Sequence, residues 1–353
     1  MDAFGRLLPE TGRWPSAAEG KGFKPVAAQV HALGLKFGIH VMRGIPRQAV
    51  AQNTPIEGSS FRAAGAANTN STCEWCKDMW GVDASQPAGQ AYYDSLFRLY
   101  ASWEVDFVKV DDLSFPYSTL EIEAVRKAIA KCGRPMVFST SPGETPIKQS
   151  GHIAANANTW RVSADFWDNW KSLAHAFDLA AKWQGIGGPG HWPDYDMLPF
   201  GRIGIRCVGQ DRQSQFTHDE QRTLMSLWSI GPSPLMLGGH QPDNDEWTLS
   251  LITNDEVLAV NQDPLGKPGV RVSRANKIEV WSRDLADSSK AVALFNLGDK
   301  PALASTNWSE LKLKGPQRIR DLWRQKDLGK QAEGFSAEIP SHGCMLIRAF
   351  SPK

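Results

Sequence analysis

Short apolar runs alternate with amphipathic stretches over the first two-thirds of the chain. This pattern is typical of parallel βα units, in which the runs form strands and the 3.6-residue periodicity marks helices. The predicted strands are 35–42, 106–110, 135–140, 159–163, 192–198 and 234–237. The predicted helices are 24–33, 90–103, 119–131, 167–183, 219–230 and 253–261. These strands fall short of the eight in an ordinary (β/α)8 barrel.

The pattern of apolar and polar residues changes after Pro268, where alternating segments are separated by polar turn clusters. Alternation with short turns predicts an antiparallel β module, which we expect to be a β-sandwich. Its predicted strands include 270–272, 277–282, 291–296, 319–323, 335–339 and 343–348. The sequence therefore predicts two domains, a (β/α) barrel over 1–266 and a β-sandwich over 267–353.

A Gly-, Asn- and Ser-rich segment runs from Arg43 to about Ala84. It predicts a long loop without regular structure, and loops of that length are usually functional. The loop contains Cys73 and Cys76, the one close pair among five cysteines that also include Cys132, Cys207 and Cys344. A zinc site would need a second pair or nearby histidines, which are missing at suitable spacing. A short-loop disulfide and two free thiols both remain open, and we favour the disulfide.

Charge and composition exclude several classes of protein. The net charge is +1, whereas a nucleic-acid-binding protein normally shows a basic excess. No segment approaches the roughly 18 apolar residues of a membrane span, and the N-terminus lacks the pattern of a signal peptide. The 14 tryptophans offer flat apolar faces that suit sugar rings, although most of them are expected to fill a core.

Acidic residues at the ends of predicted strands are the main chemical signal. Lys109 and Asp111 lie two apart, so they share one face of a strand, and the lysine favours an ionised carboxylate. Asp165 ends another apolar run, and Asp194 and Asp196 share a face after a third. The carboxyl ends of parallel barrel strands meet at one rim, which is the active-site face. Helix or loop capping is the alternative interpretation for Asp111, Asp112 and Asp165, whereas Asp194 and Asp196 could bind a metal or sugar hydroxyls.

Such a set of carboxylates suits glycoside hydrolysis. A retaining enzyme uses two carboxyl groups about 5–5.5 Å apart, one as nucleophile and one as general acid/base. Further carboxylate, Lys and Arg side chains bind sugar hydroxyls by charge-assisted hydrogen bonds. This chemistry requires no cofactor and no metal.

Five stretches resemble glycoside hydrolase family 27, the α-galactosidase and α-N-acetylgalactosaminidase family. They are 34–40 (GLKFGIH), 105–111 (VDFVKVD), 160–165 (WRVSAD), 188–198 (GPGHWPDYDML) and 261–266 (NQDPLG). The resemblance implies a TIM barrel followed by a C-terminal β-sandwich, and a retaining, exo-acting hydrolase of terminal α-galactosyl residues. It also implies a secreted or periplasmic location for the full-length form.

The same resemblance implies a role for individual residues. Asp111 would be the nucleophile and Asp165 the general acid/base. The implied sugar contacts are His40, Lys109, Ser141, Arg161, Asp196 and Met197.

The sequence departs from the family at three points. The family begins with a strand, a helix and a second strand carrying paired aspartates, and Met1 follows that point, so we expect an N-terminally truncated barrel with about six strands. An open barrel leaves strand edges unpaired, and we expect the chain to be poorly stable or weakly active. Ser141 stands where α-galactosidases have a glutamate that reads the sugar 2-hydroxyl, and His40 replaces a tyrosine.

These departures leave the glycone open. Galactose comes first, followed by N-acetylgalactosamine, β-L-arabinopyranose and an α-glucosyl unit. Two rival hypotheses are an inactive, carbohydrate-binding remnant and a metal-dependent hydrolase that uses Asp194, Asp196 and a histidine.

Overall fold

The computed structural model describes residues 1–205 and 209–351. Cys207, one of the five cysteines, lies outside the described residues. The backbone divides into two compact units, Met1–Arg161 and Val162–Lys353.

A parallel sheet with strand order β1-β5-β6-β7 forms the centre of the first unit. Its strands are β1 (Gly38–Met42), β5 (Phe107–Asp111), β6 (Val137–Thr140) and β7 (Thr159–Arg161), with short strands β2 (Ile45–Pro46), β3 (Ala67–Asn68) and β4 (Met79–Val82) between the first two. The helices of this unit are α1 (Lys24–Ala32), α2 (Arg47–Gln52), α3 (Ala63–Ala66), α4 (Pro87–Ser102), α5 (Thr119–Lys131) and α6 (Ser150–Asn156). The predicted βα pattern of this region is confirmed, with each strand end shifted by up to three residues.

Strand β5 shows why its functional side chains share one face. Val108 and Val110 are buried, whereas Phe107, Lys109 and Asp111 on the opposite face are half-buried. Side chains alternate between the two faces of a strand, so burying the two valines directs Lys109 and Asp111 to the same side.

The segment from Arg43 to Ala84 is not the unstructured loop that its composition predicts. Strands β2 and β3 both pair with β4 in a small antiparallel sheet, order β2-β4-β3, and α2 and α3 lie in the same segment. The reason is the short apolar run at 79–82, which forms a strand. The two short strands that precede it in the chain, β2 and β3, both pair with this strand.

The disulfide that we favoured between Cys73 and Cys76 is wrong, because both are free thiols in the structure. Cys73 is buried, and its thiol hydrogen-bonds the carboxylate of Asp112 while the backbone amides of Trp75 and Cys76 point to its sulfur. The Cys73 thiol is therefore engaged with Asp112 and the local backbone instead of with Cys76.

In the described part of the second unit, short strands and helices precede an antiparallel β region. The helices are α7 (Trp170–Trp183), α8 (His218–Ile230), α9 (Glu246–Ile252) and α10 (Asp255–Asn261), and the short strands are β8 (Trp192–Asp194), β9 (Arg202–Ile203) and β10 (Arg212–Gln213). The later strands are β11 (Val270–Ala275), β12 (Ile278–Asp284), β13 (Lys290–Asn296), β14 (Ala302–Asn307), β15 (Gln317–Asp321), β16 (Lys326–Gln331), β17 (Gly334–Ile339) and β18 (Cys344–Phe350).

The strand predicted at 234–237 is wrong. Leu237 forms only an isolated parallel bridge with Leu198. Pro232 and Pro234 have no backbone N–H, so this segment cannot complete a ladder of hydrogen bonds.

The β-sandwich predicted after Pro268 is confirmed. One antiparallel sheet has the order β11-β12-β13-β18-β15-β16, and β14 and β17 form a second sheet. Side chains from both sheets share one buried core: Val280, Val292, Leu294, Ala304, Trp308, Leu311, Ile319, Phe335, Ile339, Ile347 and Ala349. The fold class predicted from the sequence, parallel βα units followed by an antiparallel sandwich, therefore stands.

A buried arginine ties helices α8 and α10 to strand β12. Arg283 is 1% exposed, and its guanidinium donates to the carbonyls of Ser229, Val260, Asn261 and Lys267. Burial lowers its pKa to about 10, although Asp263 and Tyr195 oppose the shift. Carbonyls near a helix C-terminus have no partner within the helix, so the arginine satisfies groups that would otherwise be buried and unpaired.

We expect Arg283→Ala to lower the free energy of unfolding by about 3 kcal/mol, because it leaves several buried carbonyls without donors. Urea-induced unfolding followed by tryptophan fluorescence measures the effect. The control is Arg318→Ala in the same sheet, whose partner Asp327 is solvent-exposed and whose loss costs under about 0.5 kcal/mol. Equal losses for the two variants would contradict this role of Arg283.

Candidate active site

The carboxyl end of β5 in the first unit brings together several of the predicted site residues. Ser141 Oγ donates a hydrogen bond of 2.8 Å to Asp111 Oδ1, and His40 Nε2 lies 3.8 Å from Asp111 Oδ2. Lys109 is paired in register with His40 on β1 and lies on the same face as Asp111. Three residues predicted from the sequence therefore surround the carboxylate of a fourth, Asp111.

The surroundings of Asp111 favour its ionised form. Burial raises the pKa of this carboxyl, but the nearby His40 side chain, the hydrogen bond from Ser141 and the charge of Lys109 outweigh it. The net result is a pKa below the ordinary aspartate value. An ionised carboxylate can act as a nucleophile or as a counter-charge to a developing cation.

One further predicted residue, Arg161, lies at the end of strand β7, at the level of Ser141. Ser141 is buried, and its hydroxyl is engaged with Asp111. Thr140 pairs with Trp160 in the sheet, so Arg161 follows at the level of Ser141. Arg161 is buried, and its carbonyl accepts from the backbone N–H of Thr145 at 3.1 Å. The ends of β5, β6 and β7 thus carry one acidic, one hydroxyl and one basic side chain at the same level.

A large cavity of about 720 Å³ in this unit lies beside β1 rather than at the end of β5. His40 and Met42 line it, together with apolar groups such as Phe23, Tyr100 and Trp103. Neither Asp111 nor Ser141 is in its lining, so we assign the chemistry to the strand ends and not to this cavity.

The second unit contains the other predicted carboxylates. The backbone N–H of Phe166, the residue after Asp165, donates to Asp196 Oδ2 at 2.7 Å. The backbone N–H of Asp196 in turn donates to Asp194 Oδ1 at 2.8 Å. This unit therefore places the Asp165 segment against Asp196, with the Asp165 side chain exposed.

Capping of helix α7 by Asp165, the alternative interpretation from the sequence, is wrong. The helix begins at Trp170 instead of 167, and its N-cap is Asn169, whose side chain accepts from the backbone N–H of Ser172 at 2.9 Å. An Asn at this position satisfies a free N–H group of the first turn. Asp165 therefore lies in the segment before the helix.

The backbone at Asp196 is held in an uncommon conformation. Its φ is +82°, in the left-handed region, and its carbonyl accepts from the indole N–H of Trp228 at 2.8 Å. Met197, the next residue, is half-buried and packs against Gly238. Strained backbone that the surroundings hold in place is found often at functional sites.

The acidic residues of the described chain do not combine into a metal site. Within residues 1–205 and 209–351, no group of three or more His, Cys, Asp or Glu side chains is arranged to hold a metal ion. No helix in these ranges is both long and apolar enough to span a membrane.

The sequence did not reveal the residues that surround Asp112. Arg43 forms ion pairs with Asp112 and with Glu121, at 2.9 and 2.7 Å. Glu121 lies in the first turn of α5, where an acidic residue is expected to interact with the helix dipole. The adjacent pair Asp111-Asp112 is the sequence signal that could have indicated a buried arginine, because two neighbouring carboxylates need a nearby cation.

Comparisons with known proteins identify the family of the chain. Residues 78–263 match the family described as alpha galactosidase A, and residues 275–349 match the alpha galactosidase C-terminal beta sandwich domain. An α-galactosidase of Cyamopsis tetragonoloba is 31% identical over 351 residues, which is 98% of this chain and 72% of that protein.

Two solved structures are similar along the whole chain. A family 27 β-L-arabinopyranosidase from Geobacillus stearothermophilus is 50% identical with a TM-score of 0.97, covering 100% of this chain and 83% of that one. A putative α-N-acetylgalactosaminidase from Bacillus halodurans is 44% identical with a TM-score of 0.89, covering 100% of this chain and 84% of that one. The chain therefore belongs to glycoside hydrolase family 27, the α-galactosidase family, and is a glycosidase.

Proposed function

We propose that the chain is a retaining, exo-acting glycoside hydrolase in which Asp111 is the nucleophile and Asp165 the general acid/base. The observation that carries this proposal is the environment of Asp111. Its carboxylate ends a parallel strand, accepts from Ser141 at 2.8 Å and has a pKa below the usual aspartate range. A nucleophilic carboxylate must be ionised before substrate binds, and these contacts meet that requirement.

The reaction proceeds in two displacements. An oxygen of Asp111 attacks the anomeric carbon while Asp165 gives its proton to the leaving glycosidic oxygen, which forms a covalent glycosyl ester. Asp165, now a carboxylate, then takes a proton from water as that water attacks the same carbon, and the Asp111 carboxylate leaves. Two inversions give net retention. The exposed position of Asp165 before α7 supports its role, because an acid/base must reach both leaving group and water.

The remaining predicted residues are proposed sugar contacts. Lys109, Arg161 and Asp196 offer charged groups for hydroxyls, and Met197 offers an apolar contact. His40 and Ser141 contact Asp111 and extend toward the same strand-end face. We also propose that the catalytic domain ends at 266, with the sandwich domain from 267, and that the full-length form is secreted or periplasmic, as the family resemblance implies.

The glycone is proposed to have the galactose configuration, with β-L-arabinopyranose as the preferred sugar. This sugar has the ring configuration of α-D-galactopyranose and lacks only the hydroxymethyl group at C5. The sequence resemblance put galactose first, but the 50% identity to a β-L-arabinopyranosidase favours the smaller sugar.

A panel of p-nitrophenyl glycosides tests this proposal. We expect kcat/KM for the β-L-arabinopyranoside to exceed that for the α-D-galactopyranoside about tenfold, since a pocket shaped for the pentose rejects an added group by that order. The α-N-acetylgalactosaminide and the α-glucoside serve as controls and should react more slowly still. A preference for the galactoside would change only the assigned sugar and would leave the proposed mechanism unchanged. Sugar binding without turnover of any substrate would contradict the proposed hydrolase and support the inactive remnant instead.

A further inference from the structure

A buried charged cluster adjoins Asp111 on the side away from Ser141. It consists of Arg43, Asp112 and Glu121, which are 7%, 2% and 6% exposed, together with Tyr93 and Cys73. Burying a cation and two carboxylates carries a large desolvation cost, and well-packed apolar residues of similar size are often as stable. Such a cluster beside a reacting carboxylate therefore calls for an explanation other than stability.

Arg43 holds the two backbone carbonyls that flank the Cα atom of Asp112. Its own N–H donates to the carbonyl of Asp111 at 3.1 Å, and its Nε donates to the carbonyl of Asp112 at 2.6 Å. The same Nε lies 2.9 Å from Asp112 Oδ2. One residue thus restrains the carbonyl groups of the nucleophile and of its neighbour.

The guanidinium is itself held from the other end. Arg43 Nη1 donates to Glu121 Oε1 at 2.7 Å and to Ser71 Oγ at 3.0 Å. The Tyr93 hydroxyl donates to the second oxygen of Glu121 and accepts from the backbone N–H of Gly44 at 3.1 Å. The arginine cannot move without breaking several buried hydrogen bonds.

Asp112 fixes the turn that follows the nucleophile. Its φ is +65°, in the left-handed region, which few residues other than Gly, Asn and Asp adopt readily. Its carboxylate pairs with Arg43 and accepts from the thiol of Cys73. The next residue, Leu113, donates its N–H to the carbonyl of Ser141 at 2.9 Å. The segment 111–113 is therefore held by Arg43 on one side and by Ser141 on the other.

The cluster also affects the ionisation of Asp112. Asp111 and Asp112 are adjacent carboxylates, and each makes ionisation of the other less favourable. Burial raises the pKa of Asp112, Arg43 opposes the shift, and the charge of Asp111 adds to it. The arginine thus offsets part of the repulsion that the Asp111 charge exerts on Asp112.

We propose that Arg43 and Asp112 are positioning residues that set the direction of the Asp111 carboxylate toward the anomeric carbon. This inference rests on the proposed function of Asp111 as nucleophile. It predicts that loosening the cluster slows formation of the covalent bond without weakening sugar binding, because the cluster is buried and bonds the backbone of the nucleophile.

Two substitutions of Asp112 test the proposal. Asp112→Gly removes the carboxylate and suits the left-handed backbone, and Asp112→Asn keeps an oxygen that can accept from Arg43 and Cys73. We expect kcat for a dinitrophenyl glycoside to fall about 10- to 100-fold in the glycine variant. The asparagine variant should restore part of this loss, and KM should stay within about threefold in both.

The matched control is Glu104→Gln, since Glu104 is also acidic with a positive φ of 62° but lies before β5 rather than after it. It should leave kcat unchanged. A folded Asp112→Gly protein with kcat within about twofold of the unmodified chain would overturn the positioning role. If the glycine variant does not fold, kcat of the Glu121→Gln variant tests the same inference. This substitution neutralises the far partner of Arg43 without changing the size of the side chain. Unchanged kcat in that variant also overturns the inference.

Failure of the inference can be told apart from failure of the proposed function. Labelling of Asp111 in the unmodified chain by a trapped glycosyl group, with full kcat in the Asp112 variants, rejects the positioning role alone. Labelling of a different carboxylate in the unmodified chain rejects both.

Discussion

Asp111→Asn is expected to turn over aryl glycosides at least about 10⁴-fold more slowly than the unmodified chain. A neutral amide cannot form the glycosyl ester, and this loss affects the transition state rather than binding. Asn has the size of Asp and can still accept from the Ser141 hydroxyl, so the strand end should keep its structure. Release of p-nitrophenol gives the rate, and calorimetric titration with the free sugar should show a Kd close to that of the unmodified chain.

The control for this variant is Asp106→Asn on the same stretch of chain. Asp106 is paired with His31 and Arg134 at the amino end of β5, and its pKa is lowered to about 2 by contacts that outweigh burial. Its loss should reduce stability but leave kcat unchanged. If Asp111→Asn retained a tenth of the activity or more, Asp111 would not be the nucleophile.

Asp165→Ala is expected to separate the two chemical steps. For an alkyl or sugar leaving group, kcat/KM should fall about 10³-fold, because departure needs a proton. For a dinitrophenyl leaving group the first step needs no acid, so it should remain fast while the second step becomes slow. Stopped-flow measurements should then show a burst, and azide should restore part of the steady-state rate by attacking the glycosyl-enzyme in place of water.

Asp219→Ala provides the comparison, since Asp219 is a half-buried aspartate at the start of α8 that forms a long ion pair with Arg222. It should show neither a burst nor a response to azide. An Asp165→Ala variant that loses the same factor with good and poor leaving groups, and that does not respond to azide, would remove Asp165 from the acid/base role.

Local sequence patterns predicted most helices and strands, because the signals for each element lie within a few residues of it. Helix α5 spans the predicted 119–131, where apolar periodicity begins and ends sharply. Helix α7 starts three residues later than predicted, because Asn169 caps it through Ser172. Strands β14 and β16 were missed, since ALASTN and KDLGKQ are too polar to stand out from the turns around them.

The carboxylates of the site could be predicted for a similar reason. Two-residue alternation puts Lys109 and Asp111 on one face, and the end of an apolar run marks the end of a strand. The Arg43 cluster could not, because Arg43 and Glu121 are 78 residues apart and meet only through packing. The contact between the Cys73 thiol and Asp112 was hidden as well, and the C-x-x-C spacing pointed to a disulfide instead.

Trapping the covalent bond between Asp111 and the sugar is the decisive test of the proposed nucleophile. Asp165→Ala protein mixed with a dinitrophenyl β-L-arabinopyranoside should accumulate the glycosyl-enzyme, which acid quenching preserves for proteolysis and mass spectrometry. We expect one anhydro-pentosyl group on the carboxylate of Asp111. A glycosyl group on Asp112, Asp196 or any other residue, or turnover that inverts the anomeric configuration without an adduct, would contradict it.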